Sequence, residues 1–311
     1  MKPLPFDKYL AKFILKVTMD CVPWEEQMLI SKMNAMRRKE TAIYSFANFY
    51  SPPQHLKELN LSEYINVRED VSCRDKICSW TYNVIDHFEL SRQTVAISMD
   101  IFDRYMATIG NMCDSNLALL TSLTTLYIAI KVNEKKKIKL CTVAMLSREL
   151  FTGGDIEAME MKIMQALSWL VNPVTSWDFI SHMAVMLPPT ASRQTCRELH
   201  ELCRYLSELS VCDPFFVEQH KSTVALATIL NVLEDEISTE ELPRHSRQEY
   251  LNYVTKNFTW FTENVSALNL CRDRLRHLKW EQEERPNRSC FVSEKRSSSP
   301  TSILNSNDRK Y

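Results

Sequence analysis

Three glycines in 311 residues, Gly110, Gly153 and Gly154, constrain this chain more than any other feature. An ordinary protein holds about 7% glycine, and tight hairpins rely on it for left-handed turns. Helices have no such need, so the chain is expected to be all-α. The same scarcity excludes a class of chemistry. A phosphate-cradling loop needs backbone to approach its ligand closely, and neither a Walker loop nor a dinucleotide fingerprint can be written with these glycines.

The length suits two domains, because single cores stop growing at roughly 250 to 300 residues. Apolar residues make up 45% and charged residues 25%, as in ordinary globular proteins. The formal net charge is −1. A nucleic-acid partner normally demands a basic face, so none is expected. The ten cysteines contain no C-x-x-C and no paired Cys/His spacing. Neither a metal site, a cofactor nor a disulfide framework is indicated, and scattered thiols fit a reducing compartment, nucleus or cytoplasm.

Hydrophobic periodicity places the helices. Near the N-terminus, Phe6, Leu10, Phe13, Ile14 and Val17 form an apolar stripe, with Lys8, Lys12 and Lys16 on another face. This is an amphipathic helix that docks on a domain or partner, and its apolar run is too short for a signal-peptide core. Trp24 to about Tyr44 reads as a second helix, and Ser51-Pro52-Pro53 interrupts the pattern. Five helices follow: Val71 to Phe88, Arg92 to Ile109, Asn116 to Val132, Thr142 to Leu150, and Asp155 to Leu170 with Asp155 as N-cap.

No charge occurs from Ser115 through Ile130. A helix apolar on all sides must be buried on all sides, which makes this one the centre of a bundle. Its Asn and Thr residues argue against a membrane span. Past Asn172-Pro173 the organisation repeats with Ser176 to Met186, Ala191 to Ser210, Pro214 to Leu233, Ser246 to Phe258 and Thr262 to Leu278. Ser222 to Leu233 is again uncharged, so the pattern implies a faded internal duplication. The expected layout is an N-terminal helical extension over 1–69, five-helix domains over 70–172 and 173–280, and a disordered tail over 281–311.

Within the first five-helix unit, Cys73-Arg74-Asp75-Lys76-Ile77-Cys78-Ser79-Trp80, Phe102-Asp103-Arg104-Tyr105-Met106, Tyr127-Ile128-Ala129-Ile130-Lys131 and Met159-Glu160-Met161-Lys162-Ile163 occur in order. These stretches resemble the cyclin box, whose five hallmark positions fall on Arg74, Asp103, Leu120, Lys131 and Glu160. The resemblance is specific over Val71 to Val171. It is looser over the second unit, where it rests on helix order and on Asp213-Pro214-Phe215-Phe216, with Lys221 standing where many relatives have proline.

The resemblance implies a regulatory subunit, not an enzyme, that binds and activates a cyclin-dependent serine/threonine kinase, with cell-cycle control the expected setting. Substrate or inhibitor peptides are secondary partners, and no membrane is involved. A cyclin-fold transcription factor or a peptide-holding scaffold is the alternative. Arg74 and Asp103 are implied to pair structurally, and Leu120 to sit in the core. Lys131 ends the uncharged helix, which by itself suits a capping lysine. Glu160 lies at helical spacing from Ile156, Ile163 and Met164, an awkward place for a carboxylate. In cyclins the two bond the kinase backbone, and Ile128, Val132, Met164, Trp169 and Val171 then become the expected apolar centre of that interface.

Two further expectations concern regulation. The substrate-docking run of cell-cycle cyclins is altered here. Cys73, Lys76, Ile77, Trp80 and Asn83 occupy the patch, with Ile77 and Trp80 as its apolar floor, Lys76 in place of an isoleucine, and Asn83 where an acid receives a peptide arginine. Ser299-Pro300 in the serine-rich tail is a phosphorylation candidate. The basic run from Lys135 to Lys139 is read as a solvated loop rather than an import signal.

Overall fold

The computed structural model describes residues 23–42, 44, 61–110, 115–188 and 190–284. Among them every regular element is helical. The N-terminal stripe, Ser51-Pro52-Pro53 and Ser299 lie outside the described residues. The elements are α1 (Pro23–Ala42), α2 (Leu61–His87), α3 (Gln93–Ile109), α4 (Ser115–Asn133), α5 (Leu140–Leu146), α6 (Gly153–Ala166), α7 (Ser176–Ala184), α8 (Arg193–Cys212), α9 (Lys221–Asn231), α10 (Arg244–Asn257) and α11 (Val265–Glu284). They fall into two compact units. One contains the described residues up to 173 together with 211–218 and 281–284, except for α1 and Tyr44; these join 174–210 and 219–280 in the other.

In the first unit α4 packs against both α3 and α6. Its buried residues run from Ala118 to Ile130 round the whole cylinder, including Thr121, Ser122, Thr124 and Thr125. Burial on every side accounts for the missing charges. By length and composition alone this helix would qualify as a membrane span, at a mean hydropathy of 1.3, and it is the surrounding helices that explain its apolarity instead. Three of its buried hydroxyls donate back to its own carbonyls, Thr124 to Leu120, Ser122 to Leu119 and Thr125 to Ser122, whereas Thr121 Oγ1 meets no hydrogen-bond partner among the described residues.

Helix ends are closed by identifiable groups. Thr152 caps α6: the Asp155 amide donates to its hydroxyl oxygen and its own amide donates to the Asp155 carboxylate. The sequence reading had Asp155 as the cap, but the helix begins two residues earlier and Asp155 is the reciprocal third position of a capping box. Hydrogen bonds from the Thr152 hydroxyl and amide hold the Asp155 carboxyl below its ordinary value. Thr175 and Asp178 repeat the device at the start of α7. The first turn of α3 lacks a cap of its own, and Glu134, just beyond α4, supplies one by accepting from the Ser91 amide at 2.9 Å and from the Thr94 hydroxyl.

In the second unit α9 plays the part that α4 plays in the first. It packs against α7 and is buried almost throughout from Ser222 to Asn231. The stretch expected as one helix from Pro214 to Leu233 is interrupted, because Asp213 caps a short 3-10 turn at Pro214–Phe216 before α9 begins at Lys221. His220 gives α9 no side-chain cap, so Glu40 of α1 does: its carboxylate accepts from the Ser222 amide at 3.1 Å and the Ser222 hydroxyl at 2.7 Å. Arg37 donates to the same carboxylate and lies over the Trp260 ring. A buried charge needs such partners, and α1 is thereby fixed to this unit.

Candidate functional site

Arg74 on α2 and Asp103 on α3 meet in a two-point pair, Nε to Oδ1 at 2.9 Å and Nη2 to Oδ2 at 2.8 Å. Their side chains are 3% and 7% exposed. The remaining nitrogen, Nη1, donates to the carbonyl of Cys212 at 3.0 Å, so the guanidinium ties three segments of one unit together. Leu120 lies against both apolar clusters of the unit, which places it between them.

Lys131 and Glu160 form the second interhelical pair, bringing the last turn of α4 to the middle of α6. The sequence offered neither of them a local partner; the structure makes each the partner of the other. The pair is half-open, with side chains 38% and 20% exposed. Lys131 Nζ also sits over the Tyr127 ring, 4.4 Å from its centroid. An ammonium has three donors and a carboxylate two acceptor oxygens. One contact joins them, and among the described residues Glu160 Oε2 accepts from no other group. The pair is therefore a preset fork that keeps both donor and acceptor capacity unused.

The apolar residues expected round this fork divide. Ile128 (1% exposed) and Val171 are core, packed with Ile97, Ile101, Met159 and Ile163, and they give no surface to a partner. The uncharged helix carries Ile128 on the side facing α3 and α6, which the linear pattern did not resolve. Met164 is partly buried against the same cluster. Val132 and Trp169 are exposed, Trp169 at 62%, and Met161 and Leu170, which were not among the expected interface residues, are exposed as well.

Trp169 is held out by backbone, not by chance. Ser168 and Trp169 have φ of 51° and 63°, two successive non-glycine residues in the left-handed region. Each costs roughly 1–2 kcal/mol relative to right-handed backbone. The turn closes through the Trp169 amide donating to Met164 O at 2.8 Å. Arg104 on α3 fixes it from outside: Nη2 donates to Leu170 O at 2.8 Å while Nε is held by Asp100 at 2.7 Å. Strain of this kind concentrates at functional positions. Neither the strained turn nor Arg104 was singled out from the sequence, since glycine or asparagine would be the usual sign of left-handed backbone.

The residues of the expected docking patch divide as well. Cys73 and Lys76 are partly buried and Asn83 is exposed on α2. Ile77 and Trp80, expected as the floor of a groove, are sealed in the core, Trp80 at 1% exposure among Cys78, Ile85 and the α3–α4 residues. The basic run is also more than a solvated loop. Lys137 donates to Lys131 O and Glu134 O, and Lys136 to Phe88 O, so two of its lysines close helix ends.

Comparison with known proteins places these observations. Residues 46–172 match the family described as "Cyclin, N-terminal domain". The chain is similar to Cyclin-D3-2 of Arabidopsis thaliana, 26% identical over 242 residues that make up 76% of this chain and 61% of that one. It is also similar to G1/S-specific cyclin-E1 of Mus musculus, 30% identical over 138 residues, 42% of this chain and 34% of that one. The matched part is thus less than two thirds of either relative. Among solved structures, a viral cyclin from herpesvirus saimiri superposes with a TM-score of 0.56 at 17% identity, covering 78% of this chain and 97% of that one.

Proposed function

Through residues 46–172 the chain belongs to the cyclin family, and from that premise we propose that it is the regulatory, non-catalytic subunit of a cyclin-dependent serine/threonine kinase in cell-cycle control, working in the nucleus and cytoplasm. The observation that carries this reading is the half-open Lys131–Glu160 fork beside exposed Val132 and Trp169. The fork is made before any partner arrives, so little ordering entropy is lost on binding. Trp169, Leu170 and Met161 supply the aromatic and flexible apolar contacts that interface centres favour.

Activation follows from differential binding. A kinase whose regulatory helix is swung out lacks the Lys-Glu pair that holds ATP phosphates. A partner that binds only the swung-in form shifts the population toward it. The Lys131 ammonium meets backbone carbonyls and the Glu160 carboxylate meets backbone N–H groups of that helix. The altered α2 surface makes this chain a poor receptor for arginine-bearing docking peptides. The kinase itself then sets most of the substrate choice.

The test uses a double exchange, Lys131→Glu with Glu160→Lys, which keeps the internal pair and inverts what it offers. Capture with the wild-type full chain followed by mass spectrometry is expected to identify a cyclin-dependent kinase, whose activity rises on mixing. The exchanged chain, with unchanged circular dichroism, is expected to lose affinity by about tenfold or more, the equivalent of 1.4 kcal/mol or above. Full activation by the folded exchanged chain would remove the assignment.

A further inference from the structure

Cys78 lies in the middle of α2 and Cys212 at the end of α8, 134 residues apart in sequence, and Cys78 Sγ donates to Cys212 Sγ at 3.3 Å. Both belong to the same compact unit. A disulfide needs its sulfurs at about 2.05 Å, so closure calls for a movement of roughly 1.3 Å, within the range of side-chain torsions. We propose that Cys78 and Cys212 are a peroxide-responsive dithiol that closes to a reversible disulfide, clamping α2 to the 211–218 segment.

The two positions divide the chemistry. Cys212 is half-buried and open to a small oxidant, whereas Cys78 is fully buried behind it. Cys212 acts first: its thiol gives up a proton, the thiolate attacks one peroxide oxygen, the O–O bond breaks, and hydroxide leaves with the electron pair and takes that proton to become water, giving Cys212–SOH. The Cys78 sulfur then attacks that sulfur, the S–O bond breaks, and the oxygen leaves as water with the Cys78 proton. Two thiols and one peroxide thus yield one disulfide and two waters. Because the resolving thiol is already in contact, the sulfenic acid is consumed before a second peroxide reaches it.

The surroundings hold these two sulfurs in contact. Arg74, one helical turn before Cys78, donates to the Cys212 carbonyl at 3.0 Å and holds the end of α8 beside α2. That contact is independent of the sulfurs and keeps them in register in the reduced chain. Among the described residues the other buried thiols, Cys196, Cys203 and Cys271, have no thiol in contact. Burial pushes Cys196 and Cys203 above the ordinary thiol value and Cys271 to about 12, which keeps them protonated and unreactive. Cys141 is exposed and has no thiol in contact among the described residues.

The full chain treated with dilute hydrogen peroxide, alkylated and digested is expected to give a linked pair of peptides carrying Cys78 and Cys212, two hydrogen masses lighter than their sum. Dithiothreitol is expected to restore both. In Cys78→Ala, dimedone is expected to trap a sulfenic acid on Cys212, because nothing resolves it. Cys212→Ser tests the order from the more exposed side, and is expected to leave Cys78 a thiol under the same treatment. Cys212 found in the folded wild-type chain as sulfinic acid, as a mixed disulfide with another thiol, or unmodified would overturn the proposal.

Discussion

Arg74–Asp103 and Lys131–Glu160 each join two helices of the same unit across 29 residues of sequence, yet their surroundings could hardly differ more. The first is sealed, two-pronged and anchored by a third bond to Cys212. The second makes a single contact, stands half in solvent, and keeps donor and acceptor capacity in reserve. An ion pair taken out of water is held by geometry, and losing one half strands a charge. One left in water contributes little to stability and keeps its valences for a partner. Burial, not residue type or spacing, separates the structural pair from the proposed binding pair.

The largest effect should come from breaking the sealed pair. Asp103→Ala leaves the Arg74 guanidinium buried without its carboxylate, and a loss of about 3–5 kcal/mol is expected in denaturant unfolding. A loss below about 1 kcal/mol would mean that water or a rearranged carbonyl satisfies the arginine, and the contrast with the open pair would collapse. Thr152→Ala comes next. It removes the cap of α6, the helix that carries Glu160, at an expected cost of about 1 kcal/mol. Hydrogen exchange in the first turn of α6 is expected to quicken with it.

Trp169→Gly sharpens the comparison from the other side. Glycine adopts positive φ without penalty, so the variant is expected to be as stable as the parent or more stable by up to about 1 kcal/mol in thermal unfolding. Kinase capture should nevertheless weaken. A variant that gains stability and loses binding would mark the turn as strained for function, whereas unchanged capture would assign the strain to packing alone. The smallest effect is expected from Lys131→Ala, below about 1 kcal/mol in stability. Added salt should erase that difference and leave the Asp103→Ala deficit in place, since exposed charges are screened and buried ones are not.

Some of these relations were open to reading along the chain and others were closed to it. Glycine scarcity and helical periodicity act locally, and the helical class, the uncharged α4 and α9, and most helix positions followed from them. Boundaries moved where a rule needed a neighbour. The described α2 begins at Leu61, ten residues before the expected start at Val71. α6 starts before Asp155 because Thr152 closes a capping box with it. α11 runs through Trp280 to Glu284, beyond the expected end, with Arg272 and Lys279 reaching Glu234 and Glu236.

The sequence by itself determined that the chain is helical, that α4 must be buried, and which residue types stand at the hallmark positions. These are matters of period, charge and side-chain chemistry, all carried by neighbours in the chain. Only the tertiary structure decided which hallmark residues face solvent. It turned Ile128, Val171, Ile77 and Trp80 inward, set Trp169 out on left-handed backbone, and gave Lys131 to Glu160. It also brought Cys78 against Cys212 across 134 residues. Burial and long-range contact depend on which elements pack together, and no local pattern encodes how far a given side chain lies from water once they have done so.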